Sequence, residues 1–281
     1  MLRKPQRSHF YPGNLAAQLD TFLKGWEIPK DIPAQLYGGV IPHAGWMYSG
    51  RTAARTLHTL IVRCNPRTVI LLGAVHSVGI ARPALYPDGA WETPLGEVAV
   101  DANLTERILK ALGKLASASP QAHDNEHSLE VQMPLLRLLA PGCLVVPIAM
   151  PATEAAVEVG RRIAEVIAEE PDVVVVASTD LTHYGEDYSF APGGLGPKGE
   201  RWMRGNDARM VAKIQALAAE EILAEAKAHH NACGPGAVSA ALSSGRERGS
   251  TAASIIEYTT SHQIKEEPIF STAVGYVGAV F

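Results

Sequence analysis

TEAAVEVGRRIAEVIAEEPDVVVVASTDLTHYG, residues 153–185, changes its period in the middle. Up to Glu170 the apolar residues recur at helical spacing, which predicts a helix over 153–170 with Thr153 as N-cap and Pro171 as its stop. The run 172–179 is then continuous and β-branched, the pattern of a strand buried on both faces. A helix feeding directly into a buried strand is the repeating unit of a three-layer α/β fold. The same alternation recurs along the chain. LYGGVI (36–41), TVILLGA (68–74) and CLVVPIAM (143–150) read as further buried strands, while 49–62 and 102–115 carry helical spacing. Near the end, GAVSAALSSG reads as a helix and TAASIIEYTT and STAVGYVGAVF as strands closing the sheet. The expectation is an αβα sandwich around a mostly parallel or mixed sheet, formed by one domain over 1–281. Residues 191–206, APGGLGPKGERWMRGN, read as a long irregular segment, the kind that is usually functional or mobile.

Composition narrows the functional classes. Of 281 residues, 47% are apolar and 19% charged, ordinary values for a globular protein. Net charge is −4 and the pI is near 6.2, which gives bulk electrostatics no reason to favour nucleic acid or an anionic membrane. No apolar run approaches the roughly 18 residues of a spanning helix, and the N-terminus lacks the apolar core of a secretory signal. Three scattered cysteines, Cys64, Cys143 and Cys233, argue against a disulfide framework and for a reducing compartment, the cytoplasm.

The reactive residues cluster in the pattern. The strand ending at Ile41 leads to Pro42-His43-Ala44-Gly45, the strand over 68–74 to His76, and the strand over 172–179 to Asp180 and His183. Ligands in open α/β sheets bind beyond the carboxyl ends of strands, so three strands deliver a histidine to one edge. Asp180 and His183, three apart, can serve as orienting partner and base. Cys233 precedes Gly234-Pro235, the entry to a helix, where the helix dipole favours thiolate. Two imidazoles and one anion make a three-ligand site with open positions, which iron, copper and zinc all accept. His123 to His127 formally matches H-x-x-E-H, but Asp124, Asn125 and Ser128 are cap-type residues, so a helix starting near Ser128 and relieved at Pro134 fits better than a zinc protease. His127 is the better pocket candidate. His9, His58 and His262 read as surface or packing, His229 and His230 as neighbours of the Cys233 site, and Trp46 and Trp91 as pocket walls or core.

FYPGNLAAQLDTFL, PHAGWMYSG, LLGAVHS, ETPLGEVAVD, EHSLEVQMPLL, STDLTHYG, the Asn206-Asp207 pair and ACGPGAV occur in this order over nearly the whole chain. Together they resemble the Memo-like family, called AmmeMemoRadiSam system protein B in prokaryotes. That family is similar in fold to class III extradiol dioxygenases, whose non-haem iron is held by two histidines and a glutamate, with cysteine replacing the glutamate in Memo-like proteins. The resemblance implies His43, His76 and Cys233 as metal ligands, with iron or copper as the metal. It also implies His183, Asp180 and His127 in the same pocket and a radical-SAM protein as partner. Gly73-Ala74-Val75-His76 departs from the Gly-Pro-Ser/Asn-His common in the family, and Trp46 stands where the family often has Tyr. The expected function is a metal-dependent oxidoreductase acting on a small molecule. A metal-holding or peptide-binding protein and a hydrolase with Cys233 as nucleophile are the alternatives.

Overall fold

A computed structural model describes residues 1–281, the side chain of Ser8 excepted. The strands are β1 (Leu2–Arg3), β2 (Gly38–Ile41), β3 (Thr68–Gly73), β4 (Ala84–Leu85), β5 (Ala90–Thr93), β6 (Gly96–Ala99), β7 (Ser117–Ala118), β8 (Leu144–Ala149), β9 (Val173–Ser178), β10 (His183–Tyr184), β11 (Ser254–Thr260) and β12 (Ala273–Val280). The helices are α1 (Leu15–Leu23), α2 (Trp46–Cys64), α3 (Ala102–Leu112), α4 (His127–Glu130), α5 (Met133–Leu139), α6 (Ala156–Val166), α7 (Gly196–Gln215), α8 (Ile222–His229), α9 (Pro235–Glu247) and α10 (Ser261–Lys265).

The main sheet runs β10-β12-β2-β9-β3-β8-β4-β7, with β11 also on β12. Its centre is parallel: β2 pairs with β9, β9 with β3, and β3 with β8. β12 joins β2 antiparallel, so the sheet is mixed. Alternation along the central strands divides the core. Ile70, Leu72, Val173 and Val175 face the layer containing α3 and α6 to α9, whereas Val69, Leu71, Val174 and Val176 face α1, α2 and α5. Every residue of β2, β3 and β9 is buried, which is why these runs carry no polar alternation. Among the described residues no helix is long and apolar enough to cross a membrane.

The structure corrects several details. The helix placed at 153–170 spans only Ala156–Val166, and Thr153 does not cap it: Ala155 is the N-cap, and the Thr153 hydroxyl is buried without a hydrogen bond among the described residues. Residues 191–206 are not one irregular segment. Pro197 lies in the first turn of α7, where its missing N–H costs nothing, and Met203, Met210 and Ile214 bury one face of the helix. Pro134 likewise starts α5 rather than bending the helix before it. A second sheet, β1-β5-β6, was not anticipated.

Helix α6 lies against α9 through Gly160. A Cβ there would intrude on the Ala240 carbonyl oxygen and stand 2.8 Å from Ser243 Cβ. Gly160→Ala should therefore lower stability by about 1–3 kcal/mol, the usual cost of overpacking. Urea unfolding reads this directly; an unchanged midpoint would mean the helices do not meet at this residue.

Candidate metal centre

Because β2, β9 and β3 are adjacent and parallel, their carboxyl ends open on one place. His43 follows β2 after Pro42 and is almost completely buried. Its backbone N–H donates to Asp180 Oδ1 at 2.8 Å, tying the end of β2 to the segment after β9. Ser178 sits beneath its ring: the hydroxyl donates to Ser128 O at 2.8 Å and lies 3.0 Å from His43 Nδ1. A hydroxyl has one proton, so with that proton spent on Ser128 it must accept from Nδ1–H. The lone pair of His43 is thereby placed on Nε2, 3.2 Å from Cys233 Sγ.

His76 is aimed by Glu126 in the same way. The Glu126 carboxylate accepts from the His76 backbone N–H at 2.8 Å and lies 2.9 Å from His76 Nδ1. It also accepts from Ser128 N at 2.9 Å, so it caps α4 while it holds the ring. Burial alone would raise the Glu126 pKa, but the His76 contacts and the Ser128 amide outweigh it and hold the carboxyl at about 2. An ionised acceptor at Nδ1 leaves Nε2 as the free donor atom of His76. Gly73 makes this approach possible, since a Cβ there would stand 2.5 Å from Leu129 Cγ and 2.6 Å from Ser128 Oγ.

Cys233 reaches the cluster from the turn before α9. Its Sγ accepts from Asp180 N at 3.2 Å, its own N–H donates to Asp180 O, and Gly234 N donates to Thr179 Oγ1. One donor atom from each of His43, His76 and Cys233 lies within 4.8 Å of the others. The donor chemistry fits a transition metal: two imidazole nitrogens with protons committed elsewhere, plus one sulfur. The expected thiolate is not favoured in the free protein. Burial, and after it the Asp180 carboxylate, push the Cys233 thiol well above its ordinary value.

The other expected residues surround this set. His127, at the start of α4, stacks on His76 with ring centres 4.4 Å apart and stands edge-on to His43 at 5.4 Å. Asp180 Oδ2 is 4.0 Å from His183 Nε2, and His183 stacks on Tyr188 at 4.9 Å. Burial would raise Asp180, yet His43 and His183 bring it below the usual carboxylate range. His43, His76, His127, Asp180 and His183 all line a cavity of about 830 Å³. His123 does not join them. Its Nε2 is 3.0 Å from Ala84 O, and its ring packs between Tyr86 and Trp91 in the core. Trp46 and Trp91 are core residues, and His229 pairs with Arg209 and Glu225.

Several residues of the site were missed. Glu126, Ser178 and Gln132 hold the floor, Gln132 donating to Pro42 O at 2.7 Å. His9, expected at the surface or in packing, lines the cavity, and Phe10 lies 5.3 Å from the His127 ring. The N-terminal segment is pinned there by Glu130, which accepts from Gln6 N and Arg7 N and pairs with Arg3 at 2.8 Å. Glu126 and Gln132 fall in the quoted run EHSLEVQMPLL and Ser178 opens STDLTHYG, but neither run gave these residues a role, and the H-x-x-E-H spacing pointed Glu126 to protease chemistry.

The family described as Memo-like protein matches residues 8–280. A MEMO1 family protein of Thermococcus onnurineus is 35% identical, covering 100% of this chain and 99% of its own. A MEMO1 family protein of Methanopyrus kandleri is 34% identical over 90% of this chain and 85% of its own. Among solved structures, uncharacterized protein JW3007 of Escherichia coli K12 superposes with TM-score 0.56 at 12% identity, covering 88% of this chain and 100% of that one. At that identity the likeness speaks for the fold alone.

Burial lowers His43 and His123 to about 4 each, in His43 against the pull of Asp180. A depressed folded pKa means the unfolded chain binds more protons between about 4 and 6.5, so stability rises with pH through that window. The metal-free protein should be most stable above pH 6.5 and lose on the order of 3 kcal/mol per buried histidine as pH falls to 4. Urea unfolding at a series of pH values measures this. A flat profile would mean these rings are hydrated rather than buried.

Proposed function

The chain belongs to the Memo-like family, and from that premise we propose that it is a metal-dependent oxidoreductase holding iron or copper on His43, His76 and Cys233. The observation that carries this reading is the convergence of the three donor atoms within 4.8 Å, with His43 and His76 on the cavity lining. Bound there, either metal would supply a redox-active Lewis acid with positions left for a substrate atom. The protein supplies the rest. Ser178 and Glu126 fix which nitrogen of each imidazole faces the cluster. His183 opens onto the cavity with Asp180 beside it, placed to take or return a proton on a bound molecule, and His127 adds a neutral polar face. Burial lowers His127 and His43, so both rings enter the site uncharged at neutral pH.

A second reading is a metal-holding protein that presents the cavity to a partner, such as the radical-SAM protein the family resemblance implies. Met47 and Tyr188 favour it, being large, exposed side chains on the cavity lining. The hydrolase reading loses ground, because a thiol held protonated by burial is a poor nucleophile.

Elemental analysis of anaerobically purified protein should find about one iron or copper per chain, lost in His43→Ala, His76→Ala and Cys233→Ala. Folded protein that takes up no metal on anaerobic reconstitution would sink the proposal. Glu126→Gln should keep the fold and weaken metal affinity by roughly 10- to 100-fold, because His76 loses its charged orienting partner. Since the thiol starts protonated, metal uptake at pH 7 should release about one proton per ion, read in weakly buffered solution. Uptake without proton release would remove Cys233 from the ligand set.

A further inference from the structure

Neither residue of the Asn206-Asp207 pair lines the cavity, and the site described so far does not use them. Both lie on α7 and both are buried, Asp207 completely. Burying an amide and a carboxyl costs desolvation that an apolar pair would avoid, so the bonds they make carry the meaning. Those bonds go to two segments of the site. Asn206 Nδ2 donates to Thr182 Oγ1 at 3.0 Å and to His229 O at 2.8 Å. Thr182 stands between Asp180 and His183, and His229 opens the turn that leads to Cys233. Asn231, two residues before the cysteine, returns the contact by donating from Nδ2 to Asn206 O at 2.9 Å. Between those two contacts His230 adopts φ 52°, the left-handed conformation that ends α8. Asp207 grips the same threonine at its backbone. Its Oδ1 accepts from Thr182 N at 3.0 Å and its Oδ2 from the Tyr258 hydroxyl at 2.7 Å, which ties Thr182 through α7 to β11. Gly275 leaves the room, since a Cβ there would intrude on the Asp207 carboxylate.

We infer that Asn206 is a positioning residue whose side-chain amide clamps the turn carrying Cys233 to the segment carrying Asp180 and His183, and so sets where the sulfur stands against the histidines. Asp207 holds the Thr182 end of the clamp. For a bound ion this rests on the proposed metal site; the placing of the thiol stands on the hydrogen bonds alone. The two segments already meet at the cysteine itself, where Asp180 N donates to Sγ and Cys233 N to Asp180 O, both at 3.2 Å. Those are long contacts to a sulfur and across a turn. The shorter bonds of Asn206 close the same junction from behind. One planar amide spends both its protons on segments distant in sequence that converge on the site. A buried polar network of this kind specifies one arrangement, where an apolar contact tolerates several.

The test compares the full chain with two variants. Asn206→Leu keeps about the shape of the side chain and removes both donors. Thr182→Val, outside α7, is isosteric and removes one acceptor. After chelation each protein is alkylated with iodoacetamide at fixed pH, and Cys64, Cys143 and Cys233 are followed separately by peptide mass spectrometry. Cys233 should react about tenfold faster in Asn206→Leu, and by a smaller factor in Thr182→Val, as its turn opens locally. Cys64 and Cys143 make their contacts with Leu36 and Leu144, away from the clamp, and should keep their rates. The same proteins are titrated with cobalt(II), whose thiolate charge-transfer absorption reports sulfur at the metal. Both variants should show a weaker band per bound ion, and Asn206→Leu roughly a tenfold loss of affinity. Unchanged Cys233 reactivity overturns the inference. So does equal acceleration at all three cysteines, which would make Asn206 a support of the whole fold; where Asn206→Leu does not fold, Thr182→Val decides on the same readout. A Cys233 rate that responds in protein that takes up no cobalt leaves the clamp standing and sinks the metal reading. Cobalt bound with the full sulfur band in both variants, and unchanged alkylation, does the reverse.

Discussion

The parallel pairing of β2, β9 and β3 is the constraint on which the site depends. In parallel strands the carboxyl ends face the same way, and the register sets Ile41 opposite Ser178 and Leu72 opposite Ala177. The next residues of each strand therefore leave the sheet side by side. His43 and Asp180 are close enough for the hydrogen bond that joins the two exits. His76 departs one strand further on, and Cys233 is drawn in by backbone bonds to the same Asp180. A shift of one residue in either pairing would turn Ser178 away from His43 and move the donor nitrogen with it.

Holding this arrangement is costly, and the costs explain the polar residues beneath it. The imidazoles of His43, His76 and His127, a thiol and two carboxylates are gathered where water is scarce. Asp180 and Glu126 stay ionised because backbone amides and imidazoles compensate their burial. Burial opposes a second proton on His43 and His127. The thiol also stays neutral, since the adjacent carboxylate makes an anion there unfavourable until a cation arrives.

The sheet was legible because burial on both faces leaves a signature in consecutive residues. The runs at 36–41, 68–74, 143–150 and 172–179 each contain an observed strand within two residues of either end. The histidines at strand exits were legible for the same reason, being the first reactive groups after an apolar run. What was hidden depends on contacts distant in sequence. Nothing near His9 and Phe10 says that Glu130 will pin them beside His127. Glu126 looked like half of a helix-borne protease motif, yet it works from the residue before α4, where its extended backbone lets one carboxylate reach both His76 and Ser128. Glycine content made 191–206 look irregular, whereas only Gly194 and Gly196 have positive φ and the helix begins at Gly196.

The floor and the wall of the cavity come from different kinds of structure, and this separates what each can vary. The floor is made by exits of buried parallel strands, where a change of residue disturbs hydrogen bonds such as Ser178 to Ser128 and the packing of Gly73 on Leu129. The wall is made by β12, which is buried throughout, and by α10 and the segment around Tyr188, whose side chains are more exposed. Lys265 and Tyr188 can be exchanged at little cost to the core, while His43 and Ser178 cannot. Such a division sets the polar residues at the strand ends, the place where ligands bind in open α/β sheets, apart from the more variable margin.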